Sequence, residues 1–307
     1  MKKVLFALFA VAALASCSNT EVVELNREQI AFGDTFVDNA TKADYSSGKI
    51  VKGFKVYGTV TALSNTTQIF DGADVTRGDK ADGVAWDCNA TPQYWLPNAE
   101  YEFAAIVDGV AEDTDGLPET IKFTVVDGND DNLDLLYATA TVDTNENAAP
   151  KNGVNTNGVV AFEFSHLLSK MQFKIVNATN QKYQVTSINV TGVAKDGVYD
   201  VVGGSWSASN TTSLTFGTTA TVAGGANAPA SEARQILPVA QTLAVTITYN
   251  VLDGADAVVG TLTKTGNITE TFEQNTVYVV TATLSGTTID FSLGTVDGWD
   301  PGDGLGI

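Results

Sequence analysis

Residues 240–252 read Ala-Gln-Thr-Leu-Ala-Val-Thr-Ile-Thr-Tyr-Asn-Val-Leu. Leu243, Val245, Ile247, Tyr249 and Val251 occupy alternate positions, with alanine, threonine and asparagine between them. A period of two puts these five side chains on one face of an extended chain, which is the pattern of a half-buried antiparallel strand. The habit spreads outward in both directions. Upstream it appears in Phe54, Val56, Val60 and Ala62, then in Tyr101, Phe103, Ala105 and Val107, and in Ile121, Phe123 and Val125. It returns in Val160, Phe162 and Phe164 and in Met171, Phe173 and Ile175; downstream it runs through residues 277–284 and closes with Ile289, Phe291 and Leu293. These runs are rich in Val, Thr, Tyr and Phe and are bounded by Asn, Asp and Gly. Helical periodicity is almost absent, and only residues 166–170 offer a possible turn of helix. The expected class is all-β. A chain of 307 residues has room for two domains of about 130 residues each, so two antiparallel sandwiches are expected, with the boundary near residues 166–170.

Composition narrows the function. Hydrophobic residues make up 44% and charged residues 17%, which suits a buried core and not a disordered chain. Acidic residues outnumber basic ones 36 to 17, for a net charge of −19. Such a surface repels phosphate backbones, so no nucleic-acid partner is expected. The chain carries one histidine, His166, read as a hydrogen-bonded residue at a strand end. It has no Gly-x-Ser-x-Gly and no plausible nucleophile–histidine pair, so no enzyme, metal or cofactor is expected.

The N-terminus reads as an address. Lys2 and Lys3 precede an apolar run, residues 4–14, that is short for a membrane span. Leu14-Ala15-Ser16-Cys17 then resembles a bacterial lipobox. The resemblance implies a signal peptide over residues 1–16, cleavage before Cys17, and a palmitate-bearing lipid on that cysteine. An ordinary signal peptide or a plain hydrophobic anchor are the alternatives. Export implies an oxidising compartment, where Cys88, the other cysteine, would have no intrachain partner. No later apolar run approaches spanning length, and residues 18–26 read as a tether.

Several segments, in order, resemble the fimbrillins of Bacteroidetes, the subunits of type V pili, and their Mfa-like branch in particular. After the lipobox come a short strand at 29–36 and a basic residue in Ala40-Thr41-Lys42-Ala43. Phe54-Lys55-Val56-Tyr57-Gly58 follows, then Trp86 and Tyr94-Trp95-Leu96-Pro97 leading into Tyr101-Glu102-Phe103-Ala104-Ala105. Asp134-Leu135-Leu136-Tyr137-Ala138, residues 164–170, Leu237-Pro238, Ile247-Thr248-Tyr249 and the strand at 275–283 complete the series.

The resemblance implies two transthyretin-like sandwiches, residues 17–166 and 167–307, made as a lipid-anchored precursor in the outer membrane and later part of an extracellular fimbrium. It implies a trypsin-like protease that removes a propeptide, residues 17–42, by cutting between Lys42 and Ala43; the family more often has arginine there. Arg27 is a second candidate, but a cut there would keep the first strand. Ile30, Phe32 and Phe36 share one parity and would leave with that strand. Ile289, Phe291 and Leu293, in Ile-x-Phe-x-Leu, would form a donor strand for the next subunit. A final strand permanently paired in its own domain is the other reading of that tail. The partners implied are other pilus subunits, the protease and the outer membrane, and the implied biology is adhesion.

The runner-up is a monomeric surface glycan-binding lipoprotein with Trp86, Tyr94 and Trp95 as a platform, although such residues more often plug the end of a sandwich core. Arg77-Gly78-Asp79 spells an integrin-binding tripeptide, a match that arises easily by chance. Asp127, Asn129, Asp131 and Asp134 have partial calcium-loop spacing but lack the glycine and glutamate that such a loop needs, so a solvated acidic turn is expected.

Overall fold

The computed structural model describes residues 28–37, 53–80, 84–112, 116–128, 134–144, 159–217, 220–228, 230–285 and 288–297. Among them there is no helix, and the all-β expectation is met. β1 spans Ala31–Val37, β2 Phe54–Ala62, β3 Asn65–Thr76, β4 Asp87–Cys88 and β5 Ala99–Val107. β6 is Val110–Glu112, β7 Thr120–Thr124, β8 Leu136–Asp143 and β9 Val159–His166. β10 is Ser169–Asn177, β11 Lys182–Asp200, β12 Ser205–Phe216, β13 Thr221–Val222 and β14 Arg234–Ile236. β15 is Ala240–Leu252, β16 Val258–Thr271, β17 Thr276–Ser285 and β18 Thr288–Asp297.

The first sheet runs β1-β9-β8-β5-β2-β3-β4 and curls until its two ends meet around one aromatic core. Phe54 of β2 lies 5.3 Å from Phe162 of β9 between ring centroids, and Phe32 of β1 lies 5.1 Å from Phe70 of β3. The second sheet, β14-β10-β17-β18, faces the third, β16-β15-β11-β7-β6, to which β12 and β13 also attach through β11. Phe173 of β10 and Phe216 of β12 meet edge to face at 4.8 Å in the core between them.

β11, at 19 residues, is the spine of the third sheet. Its first half pairs with β15 and its last five residues pair with β7. It bulges on β12 between Thr191 and Val193, where Gly192 takes a φ of +84° and a Cβ would stand 2.9 Å from the Thr242 carbonyl oxygen. Glycine is the residue that accepts both conditions. Buried Gln241 serves the same irregularity: its Oε1 accepts from Ala194 N at 2.7 Å and its Nε2 donates to Leu237 O at 2.9 Å.

The β6–β7 hairpin comes from the earlier part of the chain yet pairs into the third sheet, Thr124 opposite Asp196 and Thr120 opposite Asp200. Behind it, Tyr57, Ala104 and Ile106 on the back of the first sheet join the second hydrophobic core. Residues 166–170 make no helical turn. Leu167 and Leu168 both enter that core, and their backbone groups are used from outside: Leu167 N donates to Leu135 O, and Leu168 O accepts from Asn275 N. Trp206 Nε1 donates to Leu167 O at 3.0 Å. An extended passage between sheets satisfies these groups and a local turn would not.

Tyr137 packs half-buried against this junction. Burial pushes its phenol up from 10.0 to about 12, and Tyr199 adds to the effect. In that window the unfolded chain releases a proton that the native state keeps, so stability falls as pH rises. Tyr57, Tyr101, Tyr249 and Tyr278 are also raised by burial and act in the same direction. Denaturant midpoints compared at about pH 9 and about pH 11.5 should drop, and the drop should be smaller in Tyr137→Phe. An unchanged drop in that variant would show that Tyr137 does not carry the effect.

Candidate functional site

β1 and the three residues ahead of it, 28–30, are held on both flanks. On one side β1 pairs parallel to β9, with Ala31 opposite Val159, Phe32 opposite Val160 and Gly33 opposite Ala161. On the other side the segment meets the chain that follows β4. Trp86 N donates to Phe32 O at 2.8 Å, Ile30 N to Gln93 O at 2.8 Å and Trp95 N to Glu28 O at 3.1 Å, and Gln29 bridges to Tyr94. This second wall is fastened to β3. Asp74 N donates to Asn89 Oδ1, Asn89 N to Asp74 O and Asn89 Nδ2 to Asp74 Oδ2, all within 3.0 Å. Lys55 Nζ donates to the Asp74 carboxylate at 2.7 Å, and this lysine, with Asn89 adding less, holds that carboxyl below the usual range.

The side chains of β1 close the first core. Ile30 is 3% exposed and Phe32 1%, and the Phe32 ring touches Phe70, Phe103 and Phe162 at centroid distances of 5.1, 5.5 and 6.1 Å. Burying two such side chains contributes about 1.5–3 kcal/mol each. The register slips between Gly33 and Phe36, so Phe36 stands opposite exposed Glu163 and Val37 opposite buried Phe164. The slip is a bulge in the backbone register ahead of Phe36.

The tail is held differently. β18 pairs antiparallel with β17 through ten residue pairs, from Thr276–Asp297 to Ser285–Thr288, and stands at the outer edge of its sheet. Ile289, Phe291 and Leu293 are half-buried against the second core. The Phe291 ring lies over Gly266 of β16, where a Cβ would come within 2.5 Å of it. A strand paired along one edge and half-buried is the easier one to detach.

Cys17, Lys42 and Ala43 lie outside the described residues. Trp86 and Trp95 are each 7% exposed and belong to the first core, which leaves Tyr94 as the exposed member of the supposed platform. Arg77-Gly78-Asp79 opens a tight turn closed by Lys80 N donating to Arg77 O at 3.1 Å; Arg77 Nε donates back to Lys80 O. Asp127 accepts from Thr215 N and Oγ1 at 2.8 and 3.1 Å, and residues 129–133 of the acidic run lie outside the described ones. His166 Nδ1 lies 2.7 Å from Asp134 Oδ2 at the end of β9. Cys88 is half-buried as a free thiol. The second wall of the β1 seat escaped the sequence reading, because its groups are backbone atoms in an irregular segment.

The model of the fimbrillin-like family matches residues 41–299, and that of the prokaryotic membrane lipoprotein lipid attachment site matches residues 1–18. Among solved structures, a fimbrial protein from Bacteroides vulgatus is 20% identical with a TM-score of 0.64, covering 90% of this chain and 100% of that one. A candidate cell adhesion protein from Bacteroides uniformis is 17% identical with a TM-score of 0.53, covering 88% of this chain and 97% of that one. One from Bacteroides ovatus is 14% identical with a TM-score of 0.53, covering 89% and 98%. At these identities the likeness is one of fold. No curated protein matches the chain. With the family model spanning most of its length and a lipid attachment site ahead of it, the chain belongs to the fimbrillin-like family and is a lipid-anchored fimbrial protein of the outer-membrane surface.

Proposed function

We propose that the chain is a structural pilus subunit that polymerises by strand replacement. Cleavage between Lys42 and Ala43 by a trypsin-like protease frees β1, and the vacated slot receives β18 of the next subunit. The observation that carries this is the double flank of β1: one strand fills a slot with backbone partners on both sides and an aromatic floor. Main-chain hydrogen bonds would give an incoming strand its affinity, and the places of Ile30 and Phe32 its specificity. The half-buried edge position of β18 supports its role as donor. Division into two transthyretin-like sandwiches near residue 166 is part of this proposal, supported by Phe164 joining the first core and Leu167 the second. Burial of Trp86 and Trp95 counts against a glycan platform.

Replacing Lys42 by Ala should leave a folded, lipidated, monomeric precursor, read as loss of the oligomer ladder on surface extracts. Normal fibre yield from that variant would sink the processing role. Deleting residues 286–307 should give a folded subunit that caps a growing fibre but cannot extend it. The edge position of β18 predicts that the second core still unfolds cooperatively without it. Collapse of that transition would mean that the tail is an obligate part of its own domain.

A further inference from the structure

The slot of β1 has one place where space is short. A Cβ on Gly33 would lie 3.0 Å from Val84 O, 3.1 Å from Val159 Cγ1 and 3.2 Å from Trp86 Cδ1. Gly33 has no positive φ, so crowding alone selects glycine there. The stretch 288–297 contains a single glycine, Gly294. Where β18 sits on its own subunit, a Cβ at Gly294 would meet only Val279 O, at an ordinary 3.9 Å. Glycine weakens a strand interior and nothing in its own docking requires it. What precedes the two glycines is alike: Ile30-Ala31-Phe32-Gly33 and Phe291-Ser292-Leu293-Gly294 are both apolar, small, apolar, glycine.

We propose that Gly294 sets the register of the incoming tail, seating Phe291 at the place of Ile30, Leu293 at that of Phe32 and Gly294 at that of Gly33. This rests on the strand-replacement reading above. The seating keeps one ring and one aliphatic side chain in the slot, exchanged in order, and puts Ser292 where Ala31 is half-exposed. It lies two residues away from the alignment that Ile-x-Phe suggests in the sequence. That alignment would set Ser292 at the crowded place, its Cβ 3.0 Å from a backbone carbonyl. Entry in the reverse direction with Gly294 at the same place would offer Thr295 and Asp297 to the apolar sites. The tail therefore enters parallel to β9, as β1 does.

The test uses synthetic peptides of residues 286–299 as chain terminators, added in excess to the processed full-length protein while it polymerises. The wild-type peptide and the Ser292→Val peptide should stop growth at similar concentrations. The Gly294→Val peptide should need about tenfold more, the cost of overfilling a packed site. Equal potency of the Gly294→Val and wild-type peptides overturns the proposal. Weak inhibition by Ser292→Val with full inhibition by Gly294→Val assigns the other register. An inert wild-type peptide removes the tail as donor, and with it both the strand-replacement reading and this register.

Discussion

A curled sheet whose ends meet through one strand cannot lose that strand without exposing two rows of backbone donors and acceptors. β1 is that strand: β9 lies on one flank, the Trp86–Gln93–Trp95 wall on the other, and Phe32 sits among three rings. Bare aromatic surface is costly in water, and an unpaired strand edge is a template for pairing with another chain. The same physics that holds β1 in place makes its vacated slot, on the proposed reading, an acceptor for a strand of matching pattern. On the proposed reading this is what drives assembly, and peptide-bond cleavage supplies the irreversibility.

The two ends of the chain are consequently unequal by construction. Ile30 and Phe32 are almost wholly buried, whereas Ile289, Phe291 and Leu293 keep part of their surface in solvent along an edge. On the proposed reading, the tail exchanges one hydrogen-bonded flank for two by moving to a neighbour. Between slot and tail the β6–β7 hairpin pairs into the third sheet, and Tyr57, Ala104 and Ile106 join the second core.

Strands with one buried face were legible from alternation alone, as residues 243–251 are. β12 and β16 were not, because most of their side chains are exposed and apolar alternation is missing. Cross-strand hydroxyl pairs such as Thr246–Thr265 and Thr248–Thr263 line the outer face that β16 shares with β15. The first strand was legible through Ile30 and Phe32, but the bulge before Phe36 was not, since a register slip leaves no mark on parity in one strand. Pairing of β7 with β11 and the wall opposite β9 depend on partners far apart in sequence. The crowding at Gly33 depends on Val84 and Trp86, about fifty residues away, and nothing in the local sequence announces it.

The measurement that reaches the central claim most directly is the N-terminal residue and lipid status of the polymer recovered from the cell surface. Strand replacement predicts chains beginning at Ala43, without lipid and without β1, throughout the oligomer ladder. Polymer whose chains still begin with an acylated Cys17 and retain residues 28–37 would contradict it.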